Sequence, residues 1–528
     1  MVPIIRTCSA FVALLFALPA AAQSADLTDY VRARAADAAG AADVAAQGYA
    51  RALAVAPDDP VLALRAYRQA LMVGDVPLAT RAAAVMEKAG VAPPDVAIFE
   101  MTVALSAGDA PRAADAVKRL KGTPFEFLMP ILTAWLAQAR GLDGVAVLDR
   151  LETGALGRRY AATQRALMLI AQGKNDSAAS EATATLASES DADARIDLAI
   201  VRGRDGGRSL LDGGGPELEA VARQLAAPRP ATIGYGLSRL FATLAGDLTG
   251  ERLSTLTILF SRCALILDPV DTRSRILLAR GLSAAGAQAL ALQALDSVPR
   301  NSPFARRAAS VRVAILRDLG HVDAALADAK ALAEDRGATS QDVERYAAFL
   351  NAAGHYDAAA RVYGDALRRG EDANPDLHLD RGVALARARR WSQALPELRK
   401  AVDLAPNRPD ALRTLGAGLI AHGGDSAEAL RLLERARRVA PDDAAVADAL
   451  GWAYLQQGDV ARAVPLLEAA TQGDPAGTAA NEHLGDAYWR LGRQFEARYA
   501  WRAAAIHAAP ADADRIARKL SQGLTSAT

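Results

Sequence analysis

The six histidines are the first residues to test for chemistry, because imidazole binds metals and transfers protons near neutral pH. Two of them, His321 and His355, lie 34 residues apart because each directly follows a glycine of a predicted turn. The other four fall at unrelated positions, and no His-Glu-x-x-His, Cys-x-x-Cys, Gly-x-Ser-x-Gly or phosphate-loop string occurs. We therefore predict no metal and no cofactor.

A cysteine and two acidic pairs are the other candidates for chemistry. Cys263 lies in an apolar string and has no partner for an internal disulfide, which predicts a small buried hydrophobic residue. The pairs Asp58-Asp59 and Asp442-Asp443 could act as general acid and base, but each follows a proline and precedes a predicted helix. Helix capping explains that placement, so we predict that the chain is not an enzyme.

The composition indicates which elements position these residues. Of the 528 residues, 51% are apolar and only 5% aromatic, with alanine prevailing, and alanine lets helices form and approach closely. A chain of this length exceeds one compact core, which favours several domains or an extended helical array. Sixty-one basic and sixty-one acidic residues cancel, so no net charge steers the chain onto nucleic acid or an anionic membrane.

The amino terminus has the pattern of a secretory signal peptide over residues 1–22. Arg6 supplies the basic region, residues 10–18 an apolar stretch, and residues 20–22 a small-residue cleavage site. We expect the mature protein to begin near Gln23 and to be periplasmic. No transmembrane segment is predicted, and no lipid anchor, because Cys8 precedes the apolar stretch.

A repeat of about 34 residues organises the carboxyl-terminal half. Its landmark glycines are separated by 34, 35 and 34 residues: Gly382, Gly416, Gly451 and Gly485. The clearest copy contains Leu450-Gly451, Tyr454, Gly458-Asp459, Ala463, Leu467, Ala470 and Pro475. This pattern resembles the tetratricopeptide repeat, in which small residues allow two helices to cross and the proline ends the second helix. The resemblance implies an all-α, right-handed superhelical solenoid of roughly twelve helix pairs with a carboxyl-terminal capping helix.

Landmark turns and prolines extend the pattern towards the amino terminus and divide the chain into four regions after the signal. We predict a degenerate repeat array over residues 23–202, a boundary or hinge over 203–236, a second array over 237–510, and a capping helix and tail over 511–528. Residues 203–215 contain six glycines, which is typical either of a hinge between two superhelices or of a long turn inside one stack. In the capping helix we expect Ile516, Leu520 and Leu524 to share one face, with Arg515, Arg518 and Lys519 pointing outward.

Binding in such an array normally uses the concave surface, which the first helix of each pair lines. Counting from the landmark glycines predicts a partner-binding stripe on the last four copies: Arg387, Arg413, Trp452, Gln456, Glu482, Asp486, Trp489 and Arg490. Tryptophan and arginine often dominate protein interfaces, although Trp452 and Trp489 could equally pack between neighbouring pairs.

The segments 449–454 and 481–498 also resemble the carboxyl-terminal signature of a group of proteobacterial envelope repeat proteins, some of them lipoproteins. The resemblance implies a soluble periplasmic adaptor that binds a protein partner such as a carboxyl-terminal processing protease or a cell-wall enzyme. The alternative is a scaffold for glycan or exopolysaccharide export, which exposed aromatic residues in the groove would favour. A third hypothesis, an enzyme in the degenerate segment 180–260, lacks a convergent set of His, Asp or Cys residues.

Overall fold

A computed structural model describes most of the chain, namely residues 19–151, 154–174, 176–177, 180, 192–248, 253–335, 338–368 and 373–524. Within these residues every regular element is a helix, which confirms the predicted all-α fold. Of the predicted signal peptide, residues 1–18 lie outside the described residues, as do the last four residues of the predicted tail. No described helix combines the length and the hydropathy that crossing a bilayer requires.

The chain forms two compact units, residues 1–325 and 326–528. The first unit holds, within its described ranges, sixteen α-helices and the start of a seventeenth. Their bounds are α1 (Pro19–Ala38), α2 (Ala42–Val55), α3 (Pro60–Val73), α4 (Val76–Lys88), α5 (Pro94–Ser106), α6 (Ala110–Lys118), α7 (Met129–Ala139), α8 (Gly144–Arg150), α9 (Ala155–Ala171), α10 (Ala192–Gly207), α11 (Gly215–Gln224), α12 (Ile233–Asp247), α13 (Ser254–Leu267), α14 (Thr272–Ala284), α15 (Gln288–Asp296), α16 (Ala305–Asp318) and α17 (Val322–Glu334).

The second unit continues with helix pairs and one final helix. Their bounds are α18 (Ser340–Ala352), α19 (Tyr356–Ala366), α20 (Pro375–Arg387), α21 (Trp391–Leu404), α22 (Pro409–Ala421), α23 (Ser426–Val439), α24 (Ala444–Gln456), α25 (Val460–Gly473), α26 (Thr478–Arg490), α27 (Gln494–Ile506) and α28 (Pro510–Gln522). Each even-numbered helix from α18 to α26 packs on the helix that follows it, and the first helices of successive pairs contact one another. This is the predicted solenoid of helix pairs.

Small residues and caps shape each pair as the repeat pattern predicts. A β-carbon on Gly451 would lie 2.8 Å from Cγ of Leu467, so a larger residue would force the two helices apart. Gly458 turns the chain with φ of 80°. Asp459 then caps α25 by accepting a hydrogen bond from the Arg462 amide at 3.1 Å, which confirms its predicted role.

The acidic pairs that follow prolines also act through capping. The Asp59 carboxylate accepts from the amides of Val61 and Leu62 at the start of α3. Asp443 accepts from the amides of Ala445 and Val446 at the start of α24. In both pairs the second aspartate satisfies helix amides that would otherwise lack a partner.

The first unit is not a linear stack of neighbours. Helix α13 packs on α5 and α3, and α12 packs on α7 and α9, although long stretches of chain separate them. Arg262 of α13 donates from Nε to the Leu71 carbonyl at 2.8 Å and from Nη2 to the Met72 carbonyl at 2.5 Å. Burial lowers the pKa of Arg262 to about 10, and the negative end of the α3 dipole faces its charge. Residues 237–325 therefore pack with the amino-terminal helices.

The glycine-rich segment 203–236 lies inside the first unit, and several of its glycines make close contacts. Gly203 has φ of 67°, and a β-carbon there would lie 2.6 Å from Cδ of Pro228. A β-carbon on Gly236 would lie 2.1 Å from the Trp135 ring. The Arg204 amide donates to the Ala226 carbonyl at 3.0 Å, which joins the start of the segment to a residue 22 positions later.

Because of these contacts we expect the segment to resist cleavage, although the hinge remains an untested prediction. Limited trypsin digestion of the folded chain should leave the bonds after Arg204 and Arg223 intact while exposed turns are cut. Mass spectrometry of the first fragments checks this. Early cleavage at either arginine would instead support a hinge between two arrays.

Candidate protein-binding surface

The first helices of the last four pairs, α20, α22, α24 and α26, carry all eight residues predicted to bind a partner. We call these helices the first-helix row. Seven of these residues fall at three positions relative to the landmark glycine, namely three before it, one after it and five after it, and Trp489 lies four after Gly485. Spacing of four residues places these positions on one helix face, so they form a stripe.

The positions five residues after the glycine are open to solvent. Arg387, Gln456 and Arg490 occupy them, and all three are exposed. The Arg387 guanidinium lies 5.9 Å from the centre of the Tyr356 ring. Arg490 donates from Nη1 to the Leu455 carbonyl at 2.5 Å, a contact that fixes its side chain across the seam between two pairs. These residues are available to a partner.

The other two positions line the seam between successive first helices. Trp452 is half-buried and its ring stacks on His483 of the next first helix, with centres 5.5 Å apart and planes at 17°. His483 Nδ1 also lies 2.8 Å from a carboxylate oxygen of Asp448, three residues before Gly451. Arg413 holds the same position on α22 and is half-buried. The prediction of stripe residues did not include His483, although its distance of 35 residues from Asp448 is one repeat.

In the last pair the seam residues bind the final helix of the chain. Glu482 is buried and accepts from Arg515 Nε at 2.8 Å, Arg515 Nη2 at 2.7 Å and Lys519 Nζ at 2.7 Å. Lys519 Nζ also lies 2.6 Å from Asp486, which accepts from Trp501 Nε1 as well. Burial opposes ionisation of Glu482, but these donors outweigh it and lower the pKa of Glu482 to about 2.

Helix α28 thus takes the place that the first helix of a further pair would occupy. Ile516 is fully buried, and Leu520 and Leu524 pack beside it, which confirms the apolar face of this helix. The expectation that Lys519 points outward was wrong, because its side chain is 15% exposed and pairs with Glu482 and Asp486 of α26. Arg515 is exposed as expected, and its guanidinium also pairs with the buried Glu482. Arg518 is exposed as predicted.

Trp489 packs beneath the same helix. Its ring centre lies 5.4 Å from that of Trp501, and the Arg498 guanidinium lies 5.0 Å from its ring. A β-carbon on Gly523 would lie 2.0 Å from Cζ2 of Trp489, so the end of α28 covers the indole. Glu482, Asp486 and Trp489 therefore hold the capping helix in this structure, whereas the open part of the stripe is Arg387, Gln456 and Arg490 with the edge of Trp452.

The first unit contains a buried charge cluster that the sequence did not predict. It consists of Asp197, Arg239, Asp268, Asp271 and Arg273, each 6% exposed or less. Arg239 donates from Nη1 to Asp271 at 2.7 Å and from Nη2 to Asp268 at 2.9 Å, while Arg273 bonds Asp197. Of its three aspartates only Asp197 lies within residues 180–260, whereas Asp268 and Asp271 follow that segment.

Each carboxylate of this cluster faces a guanidinium, which is the arrangement of a structural ion network. Burial raises the pKa of Asp197 to about 6, against the attraction of Arg273 and Arg239. Burial also opposes ionisation of Asp271, but Arg239, Arg273 and Ser274 outweigh it and hold its pKa below the usual range. A nearby cleft of about 580 Å³ runs along Pro228 to Thr232, and none of the cluster carboxylates lines it. In the described ranges no group of three His, Cys, Asp or Glu residues has the arrangement of a metal site.

Comparison with known proteins agrees with the helix pairs of the second unit. A family profile described as tetratricopeptide repeat matches residues 350–409 and 449–513, and a second profile of the same description matches 385–453. No curated protein matches the chain.

Solved structures with similar helix arrangements are distant in sequence. A tetratricopeptide repeat protein from Parabacteroides merdae is 16% identical, with a TM-score of 0.42 over 48% of this chain and 99% of that chain. MamA from Desulfovibrio magneticus is 23% identical, with a TM-score of 0.28 over 32% of this chain and 94% of that one. A chain of the APC/C hetero-tetramer Cut9-Hcn1 is 15% identical, with a TM-score of 0.39 over 88% of this chain and 96% of that one. Because the profile matches, the spacing of about 34 residues and the helix pairs coincide in residues 350–513, this part of the chain consists of tetratricopeptide repeats.

Proposed function

We propose that this protein is a non-catalytic scaffold of the bacterial cell envelope that binds a protein partner through the first-helix row. The observation that carries the proposal is the open stripe of Arg387, Gln456 and Arg490 beside the half-buried Trp452. Arginine and tryptophan offer a large contact area together with a polar group, and they are enriched among the residues that dominate protein interfaces. Tetratricopeptide repeats in general serve as protein-interaction scaffolds.

Contacts between the last two helices of the row support this role. The Trp452–His483 stack, the Asp448–His483 contact and the bond from Arg490 to Leu455 all join α24 to α26. Because these contacts already order the surface, binding of a partner costs less conformational entropy than binding to a disordered surface would. The proposed partner is a protease or a cell-wall enzyme, as the resemblance to envelope repeat proteins implies, and the proposed location is the periplasm after cleavage near Ala22–Gln23.

The test is affinity capture from envelope extract with two charge-matched variants. Arg387→Glu combined with Arg490→Glu is expected to reduce recovery of the partner by at least about tenfold, because the stripe loses two cations and gains two anions. Arg431→Glu combined with Arg438→Glu makes the same charge change on exposed positions of the second helix α23 and should leave recovery unchanged. Quantitative mass spectrometry measures recovery, and circular dichroism confirms that both variants are folded.

Two results would contradict the proposal. Equal loss of the partner in both variants would mean that general charge, and not the stripe, determines binding. Retention on envelope polysaccharide without any protein partner would favour the glycan-export scaffold instead. The intact mass of the protein from the periplasmic fraction tests the proposed location separately, because a chain that begins at Gln23 has lost its signal peptide.

A further inference from the structure

The second helix of the last pair, α27, exposes large apolar side chains to solvent. Phe495 is 82% exposed, Tyr499 71% and Ile506 76%, and Leu491 just before the helix is 48% exposed. Their spacing of four, four and seven residues places them on one face, which we call the outer stripe. Four such side chains make a patch on the order of a few hundred Å², and the largest apolar patch of a protein is often a functional surface.

Packing of the repeat does not require these residues. The opposite face of α27 supplies the core contacts through Ala497, Trp501 and Ala504, all fully buried. The preceding second helices provide an internal comparison, since the equivalent positions on α25 and α23 hold small or polar residues or proline. These are Gln457, Ala461, Pro465 and Gln472 on α25, and Gly423, Ala427, Arg431 and Arg438 on α23. The outer stripe is therefore absent from α25 and α23, and the buried face of α27 does not include it.

One charged residue of the outer stripe, Arg502, indicates what kind of surface binds there. Arg502 lies between Tyr499 and Ile506 on the same face and is exposed. In the part of the chain that the structure describes, no carboxylate forms an ion pair with it, whereas Arg493 at the start of the helix pairs with Glu496 at 3.0 Å. A surface of aromatic and aliphatic groups around an unpaired guanidinium complements an apolar surface that carries a carboxylate.

We propose that the outer stripe docks an acidic amphipathic helix of another protein. From Phe495 to Ile506 the stripe is about 16 Å long, which matches three turns of a partner helix with apolar residues at every third or fourth position. A second copy of this chain fits less well, because a two-fold contact along α27 would bring the Arg502 side chains together. Such a contact would also bury less than the roughly 1,000 Å² that a stable dimer needs. An anionic membrane surface fits less well too, since such surfaces are bound by clusters of basic residues.

The test uses synthetic peptides of about 18 residues and the full chain. The first peptide has leucines at positions i, i+4, i+7 and i+11 with glutamates elsewhere on the helix, the second is an isomer with scattered leucines, and the third replaces glutamate by lysine. Fluorescence anisotropy should give a Kd of about 10–100 µM for the first peptide, as befits a small interface, and at least about tenfold weaker binding for the other two.

Two double variants locate the site. Phe495→Glu with Ile506→Glu is expected to weaken binding of the first peptide by at least about tenfold. Ala461→Glu with Gln472→Glu places the same charges at the equivalent positions of α25 and should change the Kd by less than about twofold. Thermal denaturation should not separate the variants, because the replaced side chains of α27 make little contact with the core.

The proposal is overturned if the first peptide fails to bind or binds both double variants equally. Flotation of the protein with phosphatidylglycerol vesicles, lost in the Phe495→Glu and Ile506→Glu variant, would assign the stripe to a membrane. A dimer in sedimentation velocity that the same variant dissociates would assign it to a second copy. None of these outcomes depends on whether the first-helix row binds a partner, because the outer stripe lies on α27, which is not part of that row.

Discussion

Replacement of Arg239 by methionine is expected to lower the free energy of unfolding of the first unit by about 3–5 kcal/mol. Arg239 is 2% exposed and donates to both Asp268 and Asp271, so the variant leaves two buried carboxylates without their closest cation. A methionine fills much of the same volume, and therefore the loss reflects charge more than packing. Urea denaturation checks the value, with hydrogen exchange of peptides from α12 and α24 reporting each unit separately.

The effect of Arg239→Met should also depend on pH. A carboxylate that is buried without a cation has a pKa raised above its unfolded value, so the folded state is favoured while that group stays protonated. Stability is then retained below the unfolded pKa near 3.8 and lost as pH rises through the raised folded pKa. We therefore expect the destabilisation to be larger at pH 7 than at pH 5.

An exposed arginine of the same unit provides the control. Arg280 lies on α14 and is exposed, so Arg280→Met should change the free energy of unfolding by less than about 0.5 kcal/mol. If Arg239→Met were as mild as this control, the buried cluster would not stabilise the first unit. A loss of protection in α24 equal to that in α12 would contradict the assignment of the effect to the first unit.

The second unit could be predicted because its repeat signal is local. Gly451 and Gly485 are required where two helices cross, and Gly458-Asp459 makes a turn and a cap within the same pair. Those requirements recur every 34 or 35 residues, so the sequence pattern itself displays the period. The stripe positions followed from the same count, but the count alone did not show that three of them lie under the capping helix.

The first unit could not be predicted in the same way because its contacts are distant along the chain. Arg262 bonds carbonyls of residues 71 and 72, and nothing in its apolar neighbourhood indicates that pairing. Arg239 lies in α12 among residues that are mostly apolar and buried, such as Leu240. An arginine within such a run was the feature of the sequence that could have indicated a buried charge. Its partners Asp268 and Asp271 flank Pro269 and resemble ordinary turn residues, so the cluster appears only when α12 and α14 are packed together.

The second large effect is expected from Glu482→Gln in the last pair. Glu482 receives three donors from Arg515 and Lys519, and the fall of its pKa from 4.5 to about 2 corresponds to about 3 kcal/mol. The glutamine keeps the shape but removes the charge, so local opening of α28 should become easier by about 2–3 kcal/mol. Hydrogen exchange of the amides of residues 510–522 measures that opening.

The pH dependence of α28 gives this prediction a second readout. The folded pKa of Glu482 is lowered, so its contribution is complete above the unfolded pKa near 4.5 and is lost as pH falls from about 5 to about 2. In the wild-type chain α28 should therefore release progressively over that range, and the fluorescence of Trp489 and Trp501 beneath it should follow. In Glu482→Gln this part of the pH dependence should be absent.

A solvent-exposed ion pair of the same repeat provides the control for Glu482→Gln. It separates the loss of the buried ion pairs of Glu482 from the loss of one negative charge in general. Glu496 pairs with Arg493 at 3.0 Å, and the two side chains are 42% and 44% exposed, so Glu496→Gln should cost less than about 1 kcal/mol. If both glutamine variants released α28 equally, burial of Glu482 would not be the cause. If neither did, the apolar contacts of Ile516 and Trp489 would suffice to hold the helix. Glu482 and Asp448 occupy the same position, three residues before a landmark glycine, and both contact the next helix of the stack. In that case the contact at this position would add little to the stability of the array.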